Sequence, residues 1–195
     1  MKYCHHCGST IVQKIPPGDD RERHYCEQCT TVFYQNPKNV VGTIPIYEDK
    51  VLLCKRAIEP RRGLWTLPAG FMENGESSLH GAIRETREEA GAEVEVCDGS
   101  LYTLFNLPRI NQVYIFFRAQ LANLDFSAGL ESEEVALFTE EEIPWNEIAF
   151  PVVRSTLEHY FRDLESQAFP VRMFDVLHNE DRSVSTTLIS LSHHS

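Results

Sequence analysis

The sequence predicts an α+β domain with a small cysteine-rich appendage before it. Three observations predict this. Two C-x2-C pairs, Cys4/Cys7 and Cys26/Cys29, fall within the first 29 residues. Short β-branched or apolar runs then recur from Val40 onward. Two segments, 77–90 and 150–167, instead repeat their apolar residues at helical spacing.

Residues 1–36 form the appendage: two cysteine turns joined by a loop containing Pro16, Pro17, Gly18, Asp19 and Asp20. Asn36-Pro37 is a boundary, because the residue before proline is pushed toward extended geometry. The runs 40–47 and 51–56, separated by Glu48-Asp49-Lys50, read as a hairpin. A glycine- and proline-punctuated loop, 63–75, leads into the first helix, which Gly91 closes at its C-terminal cap. Strands are expected again over 93–96, 101–105, 112–119 and 135–138. In the second helix Val153, Thr156, Leu157, Tyr160, Phe161 and Leu164 supply the inward face. The domain is expected over 37–172. Residues 173–195 are expected to be a poorly ordered tail, and its Ser/Thr-rich end, 183–195 with His193 and His194, to form at most one short strand.

Composition excludes several classes of function. Eighteen basic against 29 acidic residues give a net charge of −11, the wrong sign for a nucleic-acid coat or a membrane-surface binder. The longest apolar run, 113–117, has five residues, where a membrane span needs about 20. The first residues lack the apolar stretch of a secretion signal, so a cytoplasmic location is expected.

Four thiolates in two C-x2-C knuckles match the donor set and spacing of a tetrahedral zinc ribbon. Binding energy from the metal would replace the core that some 30 residues cannot build. His5, His6 and His24 are nearby, but four cysteines need no substitute ligand. Residues 1–39 hold five basic and four acidic side chains, so no basic stripe marks the ribbon for nucleic acid. A structural or dimer-forming role is expected, with Thr31, Val32, Phe33 and Tyr34 as a pairing edge. Cys54 and Cys97, alone in apolar stretches, read as small hydrophobes.

The first helix carries two faces. Leu79, Ala82, Ile83, Thr86 and Ala90 form the core stripe, while Glu85, Glu88 and Glu89 share another arc. Like charges at that spacing destabilise an isolated helix. Context gives them a purpose. Gly70, Glu76, Arg84, Glu85, Glu88, Glu89 and Gly91 fall at every charged and glycine position of the Nudix box, G-x5-E-x7-R-E-U-x-E-E-x-G-U. Thr86 and Ala92 depart from it where bulky apolar residues are preferred. The chain therefore resembles a Nudix hydrolase from about Pro37 to Leu164, which implies an α/β/α sandwich around a mixed sheet.

Two ribbon-bearing Nudix groups are similar. The NADH pyrophosphatases carry a later S-Q-P-W-P-F-P-x-S motif that is absent here. The bacterial group resembling the plant plastid FAD pyrophosphatase shares the stretches 34–38, 51–56 and 63–70. That likeness implies pyrophosphate hydrolysis of an FAD- or ADP-ribose-type nucleotide, releasing AMP and a second phosphate product. NADH and diadenosine polyphosphates stay open as substrates.

The family likeness also implies site roles. Glu85, Glu88, Glu89 and the Gly70 carbonyl would hold Mg²⁺ or Mn²⁺, which suits hard oxygen donors. Arg84, paired with Glu76, would keep the glutamates in register. A general base would come either from the box or from a later loop, where Glu131, Glu133 and Glu134 are the candidates and Glu134 is favoured. Arg56 could hold a phosphate, and Tyr102 or Phe105 could stack on an adenine. A competing reading, a ligand sensor with a nucleic-acid-binding ribbon, is opposed by the intact box and the weakly charged ribbon. The expected partners are a small nucleotide and a second copy of the chain, without membrane or nucleic acid.

Overall fold

The computed structural model describes residues 1–96, 100–178 and 184–189; Cys97, His193 and His194 lie outside them. Contacts divide the chain into two units, 1–37 and 38–195.

The first unit is a three-stranded antiparallel sheet, β1 (Val12–Lys14), β2 (Arg23–Tyr25) and β3 (Val32–Phe33), with β2 in the centre. Each cysteine knuckle closes on a residue with positive φ, Gly8 at 75° and Thr30 at 56°. Its buried residues are Cys4, Pro16, Tyr25 and Cys26. So small a core is marginal without an added cross-link.

The second unit begins with β4 (Lys38–Tyr47) and β5 (Lys50–Arg56), a hairpin turning at Glu48-Asp49. Short strands β6 (Trp65–Thr66) and β7 (Ala69–Phe71) precede α1 (Ser78–Ala90). Then follow β8 (Val94–Glu95), β9 (Leu101–Leu107), β10 (Gln112–Leu121) and β11 (Ser132–Phe138). Helix α2 (Pro151–Ser166) leads to β12 (Arg172–His178) and β13 (Val184–Ile189). The sheet runs β11-β5-β4-β10-β9-β12-β13, with β4/β10 and β9/β12 parallel.

From Val40 to Ile46 every residue of β4 is buried, as expected of a central strand covered on both faces. Val41 and Ala82 of α1 share one apolar cluster; Ile44 and Ile46 pack with Val153, Leu157 and Tyr160 of α2 in another. This is the expected sandwich: helix, mixed sheet, helix. Ser77 caps α1 by accepting the His80 N–H at 3.2 Å, and Gly91 closes it in the left-handed region at φ 59°.

The departure at Thr86 has a structural answer. Its hydroxyl donates to the Ala82 carbonyl at 2.8 Å and receives the hydroxyl of Thr43, 2.6 Å away on β4. Both residues are fully buried. A satisfied polar pair replaces the bulky apolar contact.

The expectation of a tail starting at 173 is corrected for 173–178. Residues 172–178 join the sheet beside β9 and pair with β13, and Phe174 stacks on Phe105 at 4.7 Å. Phe174 and Val176 are buried two positions apart, a strand period hidden by the polar residues of β13.

Thr86→Val should cost about 1–3 kcal/mol, because the buried Thr43 hydroxyl loses its acceptor. Replacing both threonines by valine should recover most of that loss. Urea unfolding of the two single variants and the double variant checks this, and a strictly additive double variant would contradict the pairing.

Candidate active site

Strand β4 serves two partners along one edge. Its end near Tyr47 pairs with β5, while Val40, Val41 and Gly42 pair with Phe71, Gly70 and Ala69 of β7. Gly42 permits this approach: a Cβ there would meet Ala69 Cβ and the Pro68 carbonyl at 2.5 Å. Ala69 thereby presents its N–H to Glu89 Oε2 at 3.0 Å. Gly70 has a parallel reason, since a Cβ there would lie 2.3 Å from the Glu85 carboxylate. Both glycines let backbone close over the glutamates of α1.

Arg84 organises the same region. Its five guanidinium N–H groups can be assigned to five acceptors: Nε and Nη2 donate to Glu76, Nη1 to Glu85 and Glu88, and Nη2 also to the Phe71 carbonyl. Glu76 is held down to about 2 by Arg84 and by the Glu73 N–H. That fits a brace.

The other carboxylates are pushed the opposite way. Burial raises Glu85 above its usual range despite Arg84. Burial raises Glu89 to about 8, against the Ala69 N–H and Arg56 and with the charges of Glu85 and Glu131. A carboxylate this desolvated, set among others, is a receptor for positive charge. Glu85, Glu88, Glu89 and Gly70 all line one cleft of about 930 Å³. Their hard oxygens fit a divalent cation.

Other expected site residues divide. Arg56 lines the cleft, its Nε donating to the Pro60 carbonyl at 2.9 Å and its guanidinium lying 5.2 Å from the Phe150 ring centroid. Tyr102 and Phe105 are corrected to core residues: both are fully buried and absent from the cleft lining, and Tyr102 donates its hydroxyl to Asp163. Among the loop glutamates the structure reverses the expected order. Glu134 on β11 pairs with Lys55 of β5, and Glu133 accepts from Arg62; neither is among the cleft residues. Glu131 is. The register of β11 shifts at Glu133, between Ser132 and Glu134, and the two strand glutamates pair with Arg62 and Lys55, whereas Glu131 sits on the loop before the strand begins. Tyr114, Phe116, Leu130 and Phe150 also line the cleft and were not foreseen. Tyr114 and Phe116 alternate inward on β10, a period visible in the sequence but without a sign of which face carries the cleft.

In the first unit the Sγ atoms of Cys4, Cys7, Cys26 and Cys29 lie within 4.8 Å of one another. Four sulfurs so grouped fit a tetrahedral metal ion.

This fold, with a glutamate helix under a glycine-lined loop, defines a metal-dependent hydrolase of the Nudix type. The chain belongs to the Nudix family: the NUDIX domain matches residues 36–159, and the zinc-ribbon family described as Nudix N-terminal matches residues 2–35. It is 52% identical to a Nudix hydrolase of Nitrosomonas europaea of known structure, covering 90% of this chain and 99% of that one at a TM-score of 0.84. An ADP-ribose pyrophosphatase of Methanocaldococcus jannaschii is 30% identical over 116 residues, 57% of this chain and 68% of that protein. The NAD-capped RNA hydrolase NudC of Photobacterium profundum is 30% identical over 95 residues, 49% of this chain and 34% of that protein.

Without a cation, folded Glu89 keeps its proton up to about pH 8, while the unfolded chain loses it near 4.5. The folded state holds the extra proton between those values, so stability should fall as pH rises through that window. Thermal unfolding of the metal-free protein at several pH values checks the slope. Glu89→Gln should lessen it; an unchanged slope in that variant would contradict the assignment.

Proposed function

We propose that the protein hydrolyses the pyrophosphate bond of a nucleoside diphosphate linked to a second group, FAD or ADP-ribose in type, releasing AMP and another phosphate product. The observation carrying this reading is Glu89, buried, raised to about 8 and gathered with Glu85 and Glu88 in one cleft. Such a group ionises readily only beside a cation, and a pyrophosphate can enter so acidic a cleft only with one. A bound Mg²⁺ or Mn²⁺ would polarise the phosphoryl oxygens and acidify a water. Glu85, Glu88, Glu89 and the Gly70 carbonyl would hold it, and Arg84 would keep the glutamates in register.

Glu131 takes the role of general base. It accepts a proton from the attacking water as the new P–O bond forms and the bridging P–O bond breaks. Arg56 is the cleft cation suited to a phosphate oxygen. The ribbon holds one zinc on Cys4, Cys7, Cys26 and Cys29.

A second substrate reading is favoured by two NudC relatives: NADH-type or NAD-capped substrates. The absent proline-rich motif speaks against it, and the relatives speak for it. A panel of FAD, ADP-ribose, NADH and a NAD-capped RNA, scored by product identity with Mg²⁺ and Mn²⁺, separates the two.

Glu85→Gln and Glu89→Gln should each lower kcat about 10³-fold, equivalent to about 4 kcal/mol of transition-state stabilisation. Glu131→Gln should lower kcat with the Mg²⁺ requirement unchanged, and Glu134→Gln should turn over like the parent. Near-full turnover by both Glu85→Gln and Glu89→Gln would sink the hydrolase mechanism. Metal analysis after dialysis should find one zinc per chain; none, or disulfides among the four cysteines, would remove the ribbon assignment.

A further inference from the structure

The last carbonyls of any helix lack partners within the helix. In α1 the Arg87 carbonyl receives the Gly91 N–H at 2.9 Å. Two later ones are taken by a distant loop: the Gly129 N–H donates to the Glu89 carbonyl at 3.0 Å, and the Ser127 N–H to the Ala90 carbonyl at 2.9 Å. The approach is close. A Cβ on Gly129 would lie 1.8 Å from the Glu88 carbonyl oxygen and 3.2 Å from the Glu89 Cα. Those contacts are backbone atoms of a helix, which cannot swing aside as a side-chain tip can. Gly129 does not have the positive φ found at Gly91, so the demand for glycine here is steric.

The loop then turns sharply. The Ser132 N–H donates to the Gly129 carbonyl at 3.1 Å, which leaves Leu130 and Glu131 at the two central positions of a tight turn. On its other side the Glu131 carbonyl receives the Ala57 N–H at 2.8 Å, one residue beyond Arg56. Leu130 is fully exposed at the cleft, so packing of its side chain does not fix the turn. The turn is fixed by its backbone.

We infer that Gly129 is a positioning residue that docks the 127–131 loop on the peptide units of Glu88 and Glu89 and so sets where Glu131 stands relative to them. The glutamates of the helix and the glutamate of the loop are thus referenced to the same stretch of backbone. Only Leu130 lies between Gly129 and Glu131, so two Cα steps join them, a reach of at most about 7 Å. A small displacement at the docking point therefore passes to the Glu131 carboxylate with little to absorb it. A 1 Å error in a reacting group can cost about 10²-fold in rate. This inference rests on Glu131 being the base.

The test is a double-mutant cycle on the full chain with Mg²⁺ and ADP-ribose or FAD, whichever the protein hydrolyses faster. Gly129→Ala should lower kcat 10- to 100-fold and leave the Mg²⁺ concentration for half-maximal rate within twofold. In the Glu131→Gln background the same change should cost less than twofold, because there is no base left to misplace. An equal loss in both backgrounds, a shifted Mg²⁺ requirement, or full activity of Gly129→Ala would overturn the inference. Glu131→Gln alone reports on the base: if it turns over normally, the base assignment fails and takes this inference with it, whereas an inactive Glu131→Gln with additive Gly129→Ala removes only the inference. Should Gly129→Ala not fold, Ser127→Pro, which deletes one docking donor without a Cβ at position 129, enters the same cycle. Amide exchange of the unaltered protein gives an independent reading. Ser127 and Gly129 should be protected like the α1 backbone, and exchange at free-loop rates would overturn the docking.

Discussion

Four carboxylates, Glu76, Glu85, Glu88 and Glu89, are collected on and beside one helix around a single guanidinium, that of Arg84. The local sum is strongly negative, and much of the second unit can be understood as the means of holding it together. Arg84 engages three of the four directly and is committed at every N–H. The fourth, Glu89, lies beyond its reach and is held by a backbone amide instead. Gly42 and Gly70 bring that backbone within range, and the parallel β4/β10 pair gives it a rigid floor. The remaining charge imbalance is not relieved by the protein. It is left for a cation, which is why the same arrangement that strains the helix also suits a pyrophosphate.

The two metal-suited sites differ in the kind of work asked of an ion. In the ribbon, soft thiolates meet where a hydrophobic core would otherwise stand, so metal and fold are one problem. In the cleft, hard oxygens sit on an element that is already capped, packed and buried against β4. A fold that does not depend on its catalytic ion can release it, exchange it and bind it together with substrate.

The parts legible in the sequence are those written in short-range spacing. The cysteine knuckles, the capped helix with Glu85, Glu88 and Glu89, and the brace between Arg84 and Glu76 all lie within a few turns of chain. Residues that depend on which strand pairs with which were harder to read. Tyr102 and Phe105 are aromatics near the box in sequence, but β9 turns them into the core between α2 and β12. Glu134 and Glu131 differ by three positions, and only the start of β11 at Ser132 decides which one remains in the cleft. The polar character of β13 concealed a hairpin whose partner strand supplies Phe174 and Val176 to the core.

The register of β4 against β10 also bears on the order in which the chain acquires its parts. Val40 faces Tyr114 and Ile46 faces Gln120, so the central pair joins residues more than 70 positions apart. Contacts of such separation form late, because a long loop must close before they stabilise anything. The cysteine cluster spans only residues 4 to 29. During synthesis the ribbon can therefore be complete while the catalytic cleft is still in pieces, with α1 and its carboxylates waiting for the strand that will turn them from a repelling helix into a site.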